Sequence, residues 1–252
     1  MIAFTRDVTD AIARCELTHL ARIPIDVAHA RAEHAAYERA LRAEGCVVQR
    51  VPAPPDLPDA VFIEDTAVVL DELAVITRPG ARSRRAETAG VADALRALRP
   101  VAELRAPATL DGGDVLRTGR TIYVGVGGRT NAAGVDQLRA LVAPHGYEVR
   151  AVTFSGCLHL KTAATFIGDG QLLVNPDWVD ATRFHGLRAL AIDSREPFAA
   201  NALLVGDRVL HGAEFERTRR ILEEAGVQVV PVPAGELAKA EGGVTCCSLL
   251  VS

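Results

Sequence analysis

The amino-acid sequence predicts an α/β fold in which five β-β-α-β units form a closed ring. Three observations indicate this fold. Short apolar segments occur in pairs with a tight polar turn between them, an amphipathic helix follows most of the pairs, and a lone strand follows the helix. The pairs begin near residues 59, 112, 162 and 201, a spacing of roughly forty to fifty residues that is typical of radial or solenoid arrays.

Four segments have the pattern of a β-hairpin. They are VFIEDTAVVLDELAVITRPG, GGDVLRTGRTIYVGVGGR, TAATFIGDGQLLVNPD and NALLVGDRVLHGA. The turns Thr118-Gly119, Asp169-Gly170 and Gly206-Asp207 contain residues that tolerate positive φ, which two-residue hairpin turns require. Each segment therefore predicts two antiparallel strands.

Helices and lone strands complete the units. Three helices are predicted from apolar residues on one face, namely Val91, Leu95 and Leu98, then Val135, Leu138 and Val142, then Phe215 and Leu222. Lone strands are predicted at 101–104, 147–152 and 227–232, and the N-terminal region repeats this tail with a helix near 28–43 and a strand at 46–51. In the fourth unit, PDWVDATRFHG predicts only a short helix.

A fifth unit follows if the N-terminal region forms a hairpin whose first strand is 2–5. A closed ring of five units would leave no exposed strand edge. Because no glycine- or serine-rich linker divides the chain, residues 1–252 are predicted to form one domain.

Composition excludes several classes of protein. A net charge of −4 without clustered lysines argues against a nucleic-acid surface. Neither a signal peptide nor a run of about eighteen apolar residues occurs, which argues against a membrane protein. Five cysteines is an odd count with no zinc-site spacing. We therefore expect a cytoplasmic protein with reduced thiols whose partner is a small molecule.

Conspicuous polar side chains fall at the starts of the predicted units, and a closed ring would bring them together. The two adjacent cysteines follow a glycine pair and precede the last apolar strand, which would close the ring beside these groups. The side chains are Asp59, Glu64 and Asp65 in the second unit, Asp111 and Asp114 in the third, His159 in the fourth, and Cys246 and Cys247 at the end of the chain.

Cys246 and His159 are the candidate reactive pair. A thiolate is a strong nucleophile near neutral pH, and an imidazolium or a bound cation lowers the pKa of the thiol. Packing in the core is the competing interpretation for a cysteine. If GCLHLKTA is a strand, alternation points His159 away from Leu158 and Leu160. Such a histidine is either structural or, beside a carboxylate and a thiol, a general base.

Two acidic segments carry further candidates. LDGGDVL is either an ordinary turn or a place where glycine lets the backbone approach a ligand closely. In FIEDTAVV, strand alternation points Glu64 and Asp65 to opposite faces, so that one faces a packed layer. A buried carboxylate needs a cationic or hydrogen-bonding partner, and a guanidinium could be that partner. Arg84, Arg85 and Arg129 could in turn bind a carboxylate at two points, although most arginines of the chain are expected on the solvated surface.

Taken together, the motifs resemble the dimethylarginine dimethylaminohydrolases, within the pentein, or guanidino-group-modifying, superfamily. The motifs are LPDAVFIEDTAVV, ITRPGARSRR, LDGGDVL, GRTN, LHLKTA and GGVTCCSLL. They occur in the family's order over nearly the whole chain. The resemblance implies a five-bladed, pseudo-fivefold ββαβ propeller with its site in the central channel.

The resemblance also implies roles for individual residues. Cys246 would be the nucleophile, His159 the general acid and base, and Asp111 the group that orients His159, whereas Asp114 would be structural. The implied substrate-binding residues are Leu17 in a mobile lid, Asp59 at the α-amino group, Phe62 in the pocket lining, Glu64 and Asp65 at the guanidinium, Arg84 and Arg129 at the α-carboxylate, and Ala240 through its backbone. Ala240 departs from the larger aliphatic residue that is usual in the family.

The implied reaction converts Nω-methylated arginine to citrulline plus dimethylamine or methylamine through an S-alkylthiouronium on Cys246, with no cofactor. Arginine deiminase-like chemistry on the same fold is one alternative, although those enzymes usually carry a helical insertion. A non-catalytic pentein of the ribosome anti-association type is another. Zinc bound by Cys246 and His159 would be inhibitory, and both a monomer and a homodimer fit the sequence.

Overall fold

The computed structural model describes all 252 residues, which form five three-stranded sheets. The strands are β1 (Ile2–Thr5), β2 (Val47–Arg50), β3 (Ala67–Val69), β4 (Ala74–Ile76), β5 (Val101–Glu103), β6 (Val115–Thr118), β7 (Thr121–Val126), β8 (Glu148–Thr153), β9 (Ala164–Phe166), β10 (Gln171–Val174), β11 (Arg188–Ala191), β12 (Ala202–Val205), β13 (Arg208–Gly212), β14 (Gln228–Val232) and β15 (Leu249–Val251). In every sheet the middle strand pairs antiparallel with one neighbour and in parallel with the other. The β-β-α-β prediction is confirmed.

The predicted hairpin turns have the required backbone. Asp169 and Gly170 both have positive φ, at 47° and 67°, between β9 and β10. Gly119 and Gly206 are also left-handed, with φ of 56° and 61°. These turns match the twist of the strands that they join.

Six α-helices accompany the sheets: α1 (Val27–Ala43), α2 (Thr88–Arg96), α3 (Ala132–Val142), α4 (Leu160–Ala163), α5 (Glu216–Glu224) and α6 (Gly235–Ala238). None has the combination of length and apolarity that a membrane crossing needs. Asp26 and Asn131 cap α1 and α3 by accepting backbone N–H groups. The face predicted for α2 is correct at Val91 and Leu95, but Leu98 lies beyond the helix and is 45% exposed.

The five sheets are arranged as the blades of a propeller. Their innermost strands, β3, β6, β9, β12 and β15, line one central channel. Buried apolar side chains form five separate clusters around it. The fourth unit has only a short 3₁₀-helix, Ala181–Arg183, as its sequence predicts.

The fifth blade differs from the prediction in its strand order. β1 is not the first strand of a hairpin but the middle strand, paired antiparallel with β15 and in parallel with β2. The C-terminal strand therefore supplies the innermost strand of this blade. Joining the two chain ends in one sheet closes the ring, because each terminal strand satisfies the backbone hydrogen bonds of the other.

Candidate active site

A small pocket adjoins the channel and collects most of the predicted site residues. Its lining is Glu16, Asp59, Phe62, Asp65, Arg84, Arg129, Leu158, His159, Ala240, Glu241 and Cys246. Three predicted residues lie outside this lining. Asp111 contacts the His159 ring from outside the lining. Glu64 faces the channel with Lys161, and Leu17 packs against the apolar cluster that contains Cys246.

His159 lies directly before α4 and not within a strand, so the predicted alternation through GCLHLKTA is wrong. Its backbone is extended, with φ −133° and ψ 158°, and the helix begins at Leu160. The Asp114 carboxylate accepts the Leu160 N–H at 2.9 Å, which satisfies a free donor of the first helical turn. Leu158 lines the pocket with His159, whereas Leu160 is fully buried.

Both ring nitrogens of His159 face carboxylates. Nε2 lies 3.0 Å from Asp111 Oδ2, and Nδ1 lies 3.8 Å from Asp65 Oδ1. Burial lowers the pKa of His159, but the carboxylates of Asp65 and Asp111 outweigh burial and raise the pKa to about 9. The imidazole is therefore protonated near neutral pH and can donate a proton.

The glycines of LDGGDVL allow this close approach. A Cβ on Gly113 would lie 2.6 Å from His159 Nδ1 and 2.9 Å from Asp65 Oδ1. The Gly113 N–H also donates to Asp65 Oδ1 at 2.8 Å. Any larger side chain at position 113 would displace the imidazole or the carboxylate, and Gly112–Asp114 form a 3₁₀ turn, so the turn interpretation is correct, whereas approach of this backbone to a ligand stays a prediction.

Asp111 and Asp114 are both fully buried but have different partners. Asp111 accepts the Gly80 N–H on Oδ1 at 2.8 Å and faces His159 with Oδ2. Asp114 accepts the Thr130 hydroxyl at 2.6 Å and does not line the pocket. Burial raises the pKa of Asp114 to about 6. These contacts fit an orienting role for Asp111 and a structural role for Asp114.

Glu64 and Asp65 lie in a 3₁₀-helix, Ile63–Thr66, and not in a strand. The prediction of strand alternation is wrong because the Thr66 hydroxyl bonds back to the Ile63 carbonyl at 2.6 Å. This local bond favours a turn over an extended chain. The Glu64 N–H donates to the Cys246 carbonyl at 3.1 Å, which ties the 3₁₀-helix to the C-terminal segment.

The two carboxylates nevertheless diverge, as predicted. Glu64 accepts hydrogen bonds from Lys161 Nζ and the Thr245 hydroxyl on the channel side. Burial raises the pKa of Glu64, and Lys161 opposes that rise. Asp65 accepts from Arg84 Nη1, and although burial acts against ionisation, His159 and Arg84 hold the pKa of Asp65 well below its usual range. Asp65 is therefore a fixed negative charge.

Cys246 lies in a turn just before β15, with 9% of its surface exposed at the pocket. Its Sγ accepts the Gly243 N–H at 3.3 Å. Burial, followed by the carboxylates of Glu64 and Asp65, raises the pKa of the thiol to about 12. The thiol is therefore neutral in the free protein, and a cation held beside the sulfur would favour the thiolate.

Arg84 and Arg129 lie on the pocket wall in different environments. Arg84 is buried, pairs with Asp65 and Glu87, and donates to the Phe62 carbonyl at 2.9 Å. Arg129 is half-buried and donates to the Thr18 hydroxyl at 3.0 Å. The guanidinium of Arg84 is thus fixed by the protein, whereas that of Arg129 contacts a more exposed segment.

That exposed segment, residues 15–25, has no helix or strand and is called the lid below. It reaches the pocket through Glu16, whose N–H donates to both carboxylate oxygens of Asp59 at 3.2 and 3.1 Å. Asp59 and Arg129, which are predicted to bind the α-amino and α-carboxylate groups of a substrate, are therefore both in contact with the lid.

One cluster has the donors that a metal ion needs. Ligand atoms of Asp65, Asp111 and His159 lie within 4.8 Å of one another. Cys246 is not part of this cluster, so inhibitory zinc at Cys246 and His159 stays a prediction.

Comparison with known proteins decides the family. A family model described as N,N dimethylarginine dimethylhydrolase, eukaryotic, matches residues 9–195. The N(G),N(G)-dimethylarginine dimethylaminohydrolase of Streptomyces coelicolor is 44% identical over 248 residues, which is 98% of this chain and 95% of that protein.

This chain belongs to the dimethylarginine dimethylaminohydrolase family.

Solved structures of the family have the same fold. The dimethylarginine dimethylaminohydrolase of Pseudomonas aeruginosa, as a cysteine-to-serine mutant complexed with citrulline, matches with a TM-score of 0.94 at 33% identity, covering 98% of this chain and 97% of that one. The N-terminal domain of ArgZ, a cyanobacterial arginine dihydrolase, matches with a TM-score of 0.87 at 22% identity, which shows the fold alone. The five-bladed pentein propeller is thus confirmed.

Four polar residues at this site, including Glu16 on the pocket wall, were not singled out from the sequence. Lys161 and Thr245 contact Glu64, and Glu241 lines the pocket. Lys161 and Thr245 do lie within the motifs LHLKTA and GGVTCCSLL. The charge of Lys161, and the closeness of Lys161 to His159 and of Thr245 to Cys246 along the chain, were the available signals.

Proposed function

We propose that this enzyme hydrolyses asymmetric dimethylarginine and monomethylarginine to citrulline, releasing dimethylamine or methylamine, with Cys246 as the covalent nucleophile. One observation carries the proposal. In a chain of this family, the pocket combines a thiol, a protonated imidazole and a permanently charged carboxylate, supplied by Cys246, His159 and Asp65. The ribosome anti-association alternative predicts no such combination.

The acidic residues give the pocket its preference for a cation. Asp65 lines the pocket, and both Asp65 and the more remote Glu64 act electrostatically on the Cys246 thiol, so a guanidinium beside the sulfur would be attracted by two negative charges. A planar guanidinium can donate to carboxylates at two points. Phe62 and the Ala240 backbone would line the remaining pocket surface.

The other end of the substrate would meet the lid side of the pocket. Asp59 offers a carboxylate to an α-amino group, and Arg129 offers a guanidinium to an α-carboxylate, with Arg84 beside it. Leu17 in the lid would cover the bound amino acid. Recognition of both α-groups favours a free amino acid over a methylarginine within a peptide chain.

The reaction begins when the substrate cation stabilises the thiolate of Cys246, whose proton passes to solvent. The sulfur attacks the guanidinium carbon, and the imidazolium of His159 gives its proton to the methylated nitrogen, which leaves as a neutral amine. A cationic S-alkylthiouronium remains. Asp111 holds the ring of His159 in position throughout.

In the second half-reaction, neutral His159 removes a proton from water, and the resulting hydroxide attacks the same carbon. Collapse of the tetrahedral adduct forms the ureido carbonyl and returns a proton to the sulfur as the C–S bond breaks. Citrulline leaves, and the thiol of Cys246 is restored. These steps take all of their protons and electron pairs from the chain, the substrate and water.

The decisive assay compares citrulline release from asymmetric dimethylarginine, monomethylarginine and arginine. Cys246→Ser should lower kcat by about 10⁴-fold or more, since nucleophile removal abolishes the covalent route. Cys247→Ser is the matched control, because Cys247 is also buried but does not line the pocket. Acid quenching during turnover should give a mass adduct on Cys246. Turnover of arginine alone would instead support a deiminase.

Residues 1–252 would act as one catalytic domain, since the site draws on residues from 16 to 246. We also place the enzyme in a cytoplasm. All five cysteines are free, which fits a reducing compartment.

A further inference from the structure

The lid has few internal bonds that could fix its position. It connects the 3₁₀-helix Asp10–Arg14 to α1 without any secondary structure of its own, and most of its residues are exposed. Its backbone N–H groups must therefore find partners elsewhere in the protein or in water. Their partner at the centre of the lid is a single carboxylate.

Glu241 accepts three successive backbone N–H groups of the lid. Thr18 N donates to Oε2 at 3.0 Å, and His19 N and Leu20 N donate to Oε1 at 2.5 and 2.7 Å. Successive N–H groups that converge on one anion form a concave anion site. Hydrogen bonds to a charged acceptor are about twice as strong as those between neutral groups.

The backbone conformation of Glu241 indicates that its side chain has a specific role. Its φ is 59°, one of only two positive values at non-glycine residues in the chain. This left-handed conformation is unfavourable for a residue with a Cβ and persists where surrounding contacts enforce it. Glycine would adopt the same backbone without strain, but it would have no carboxylate for the lid.

Glu241 also lies in the segment that shapes the pocket. Ala240 and Glu241 both line the pocket, and a Cβ on Gly242 would strike the Phe62 ring. Gly243 donates its N–H to Cys246 Sγ at 3.3 Å. The lid is therefore bonded to the same short segment that supports the nucleophile.

We propose that Glu241 is a positioning residue whose carboxylate latches the lid over the substrate pocket through the N–H groups of residues 18–20. The latch sets the fraction of the enzyme in which the lid is closed. Its effect on substrate affinity rests on the proposed function, whereas its effect on the lid itself does not.

Trypsin cleavage after Arg22, in the exposed part of the lid, measures the latch without any substrate. The variants are Glu241→Gln, which keeps the shape of the side chain, and Glu241→Gly, which also relieves the backbone strain. The control is Glu224→Gln, an exposed glutamate at the end of α5 for which the structure shows no side-chain partner. Under native conditions we expect cleavage to accelerate about tenfold in both Glu241 variants, because local opening governs proteolysis.

The thermal midpoint separates a latch from a general structural role. Glu241→Gly should unfold within a few degrees of the wild type, because glycine suits this backbone. The proposal would be overturned if both Glu241 variants were cleaved at the wild-type rate. It would also be overturned if cleavage were faster only because the thermal midpoint had fallen by many degrees.

The kinetic measurement then tests positioning. In Glu241→Gly, the KM for asymmetric dimethylarginine should rise about tenfold with kcat within about threefold, since apparent affinity scales with the closed fraction. An unchanged KM together with faster lid cleavage would overturn the positioning role. If the wild type released no citrulline from any of the guanidine substrates, the proposed function would be wrong. The trypsin result would still show whether Glu241 holds the lid in place.

Discussion

The floor of the site and the lid above it are held in opposite ways. The floor consists of Asp65, Asp111, Gly113 and His159. The three polar residues among them are at most 4% exposed, and their side chains bond to one another or to backbone N–H groups. The lid is exposed and is held by scattered contacts to Asp59, Ser83, Arg129 and Glu241.

This difference follows from what each region must do. Proton transfer needs fixed distances between donor and acceptor atoms. Buried charge-assisted hydrogen bonds keep these distances fixed, because breaking them is costly in free energy. Entry of substrate needs local opening, which occurs where bonds are solvent-exposed and few apolar contacts are lost. Changes to the floor should therefore affect catalysis far more than changes to the lid.

Among changes that test the floor against the lid, the largest effect is expected from Gly113→Ala. The added methyl group would collide with His159 and Asp65, and displacing a catalytic group by about 1 Å can lower kcat by about 100-fold. Steady-state kinetics and urea unfolding would measure the loss. Gly128→Ala is the matched control, because a Cβ there meets no atom within 4 Å. Equal activity in the two variants would show that the floor is not rigid.

The next effect concerns stability and pH. The pKa of His159 is about 9 in the folded protein and 6.5 in an unperturbed histidine. A raised folded pKa adds stability that is complete below pH 6.5 and is lost as the pH rises through 9, amounting to about 3 kcal/mol.

Urea unfolding between pH 6.5 and 9.5 would measure this contribution. As the pH rises, the free energy of unfolding of His159→Gln should fall less than that of the wild type, because the contribution of the imidazole is missing. His145→Gln, at an exposed histidine, should show the same dependence on pH as the wild type. Parallel curves for the wild type and His159→Gln would contradict an ionised floor.

The smallest effect is expected in the lid. The Ser83 hydroxyl donates to Glu16 Oε1 at 2.6 Å between two exposed residues. Because such bonds contribute little in water, Ser83→Ala should raise the KM by about twofold and leave kcat unchanged. The control is Ser155→Ala, at another exposed serine. A change in kcat as large as that of Gly113→Ala would remove the distinction between lid and floor.

Much of the propeller was predictable because its units repeat local patterns. The strand Ile2–Thr5 was predicted at its observed bounds, and the helix near 28–43 is observed as Val27–Ala43. Gly206 has the left-handed backbone of the predicted hairpin turn. The glycine pair in LDGGDVL lies where a Cβ would collide with neighbouring atoms. Burial of one helix or sheet face leaves a periodic signal within a short window of sequence.

The local conformation of the reactive residues was less predictable. Glu64 and His159 lie in or beside short helical turns, although their segments have the apolar content of strands. In both cases a distant or side-chain hydrogen bond decides the backbone, such as the Asp114 carboxylate on Leu160 N. Periodicity contains no information about such bonds.

The repeated β-β-α-β unit, the glycine turns and the main candidate groups could be read from the sequence, because each depends on residues close together along the chain. Three contacts became visible only in the folded chain: β15 completes the blade of β1, Lys161 faces Glu64, and Glu241 bonds to the lid more than two hundred residues away. Contacts between such distant segments depend on how the ring closes, and closure is a property of all five blades together.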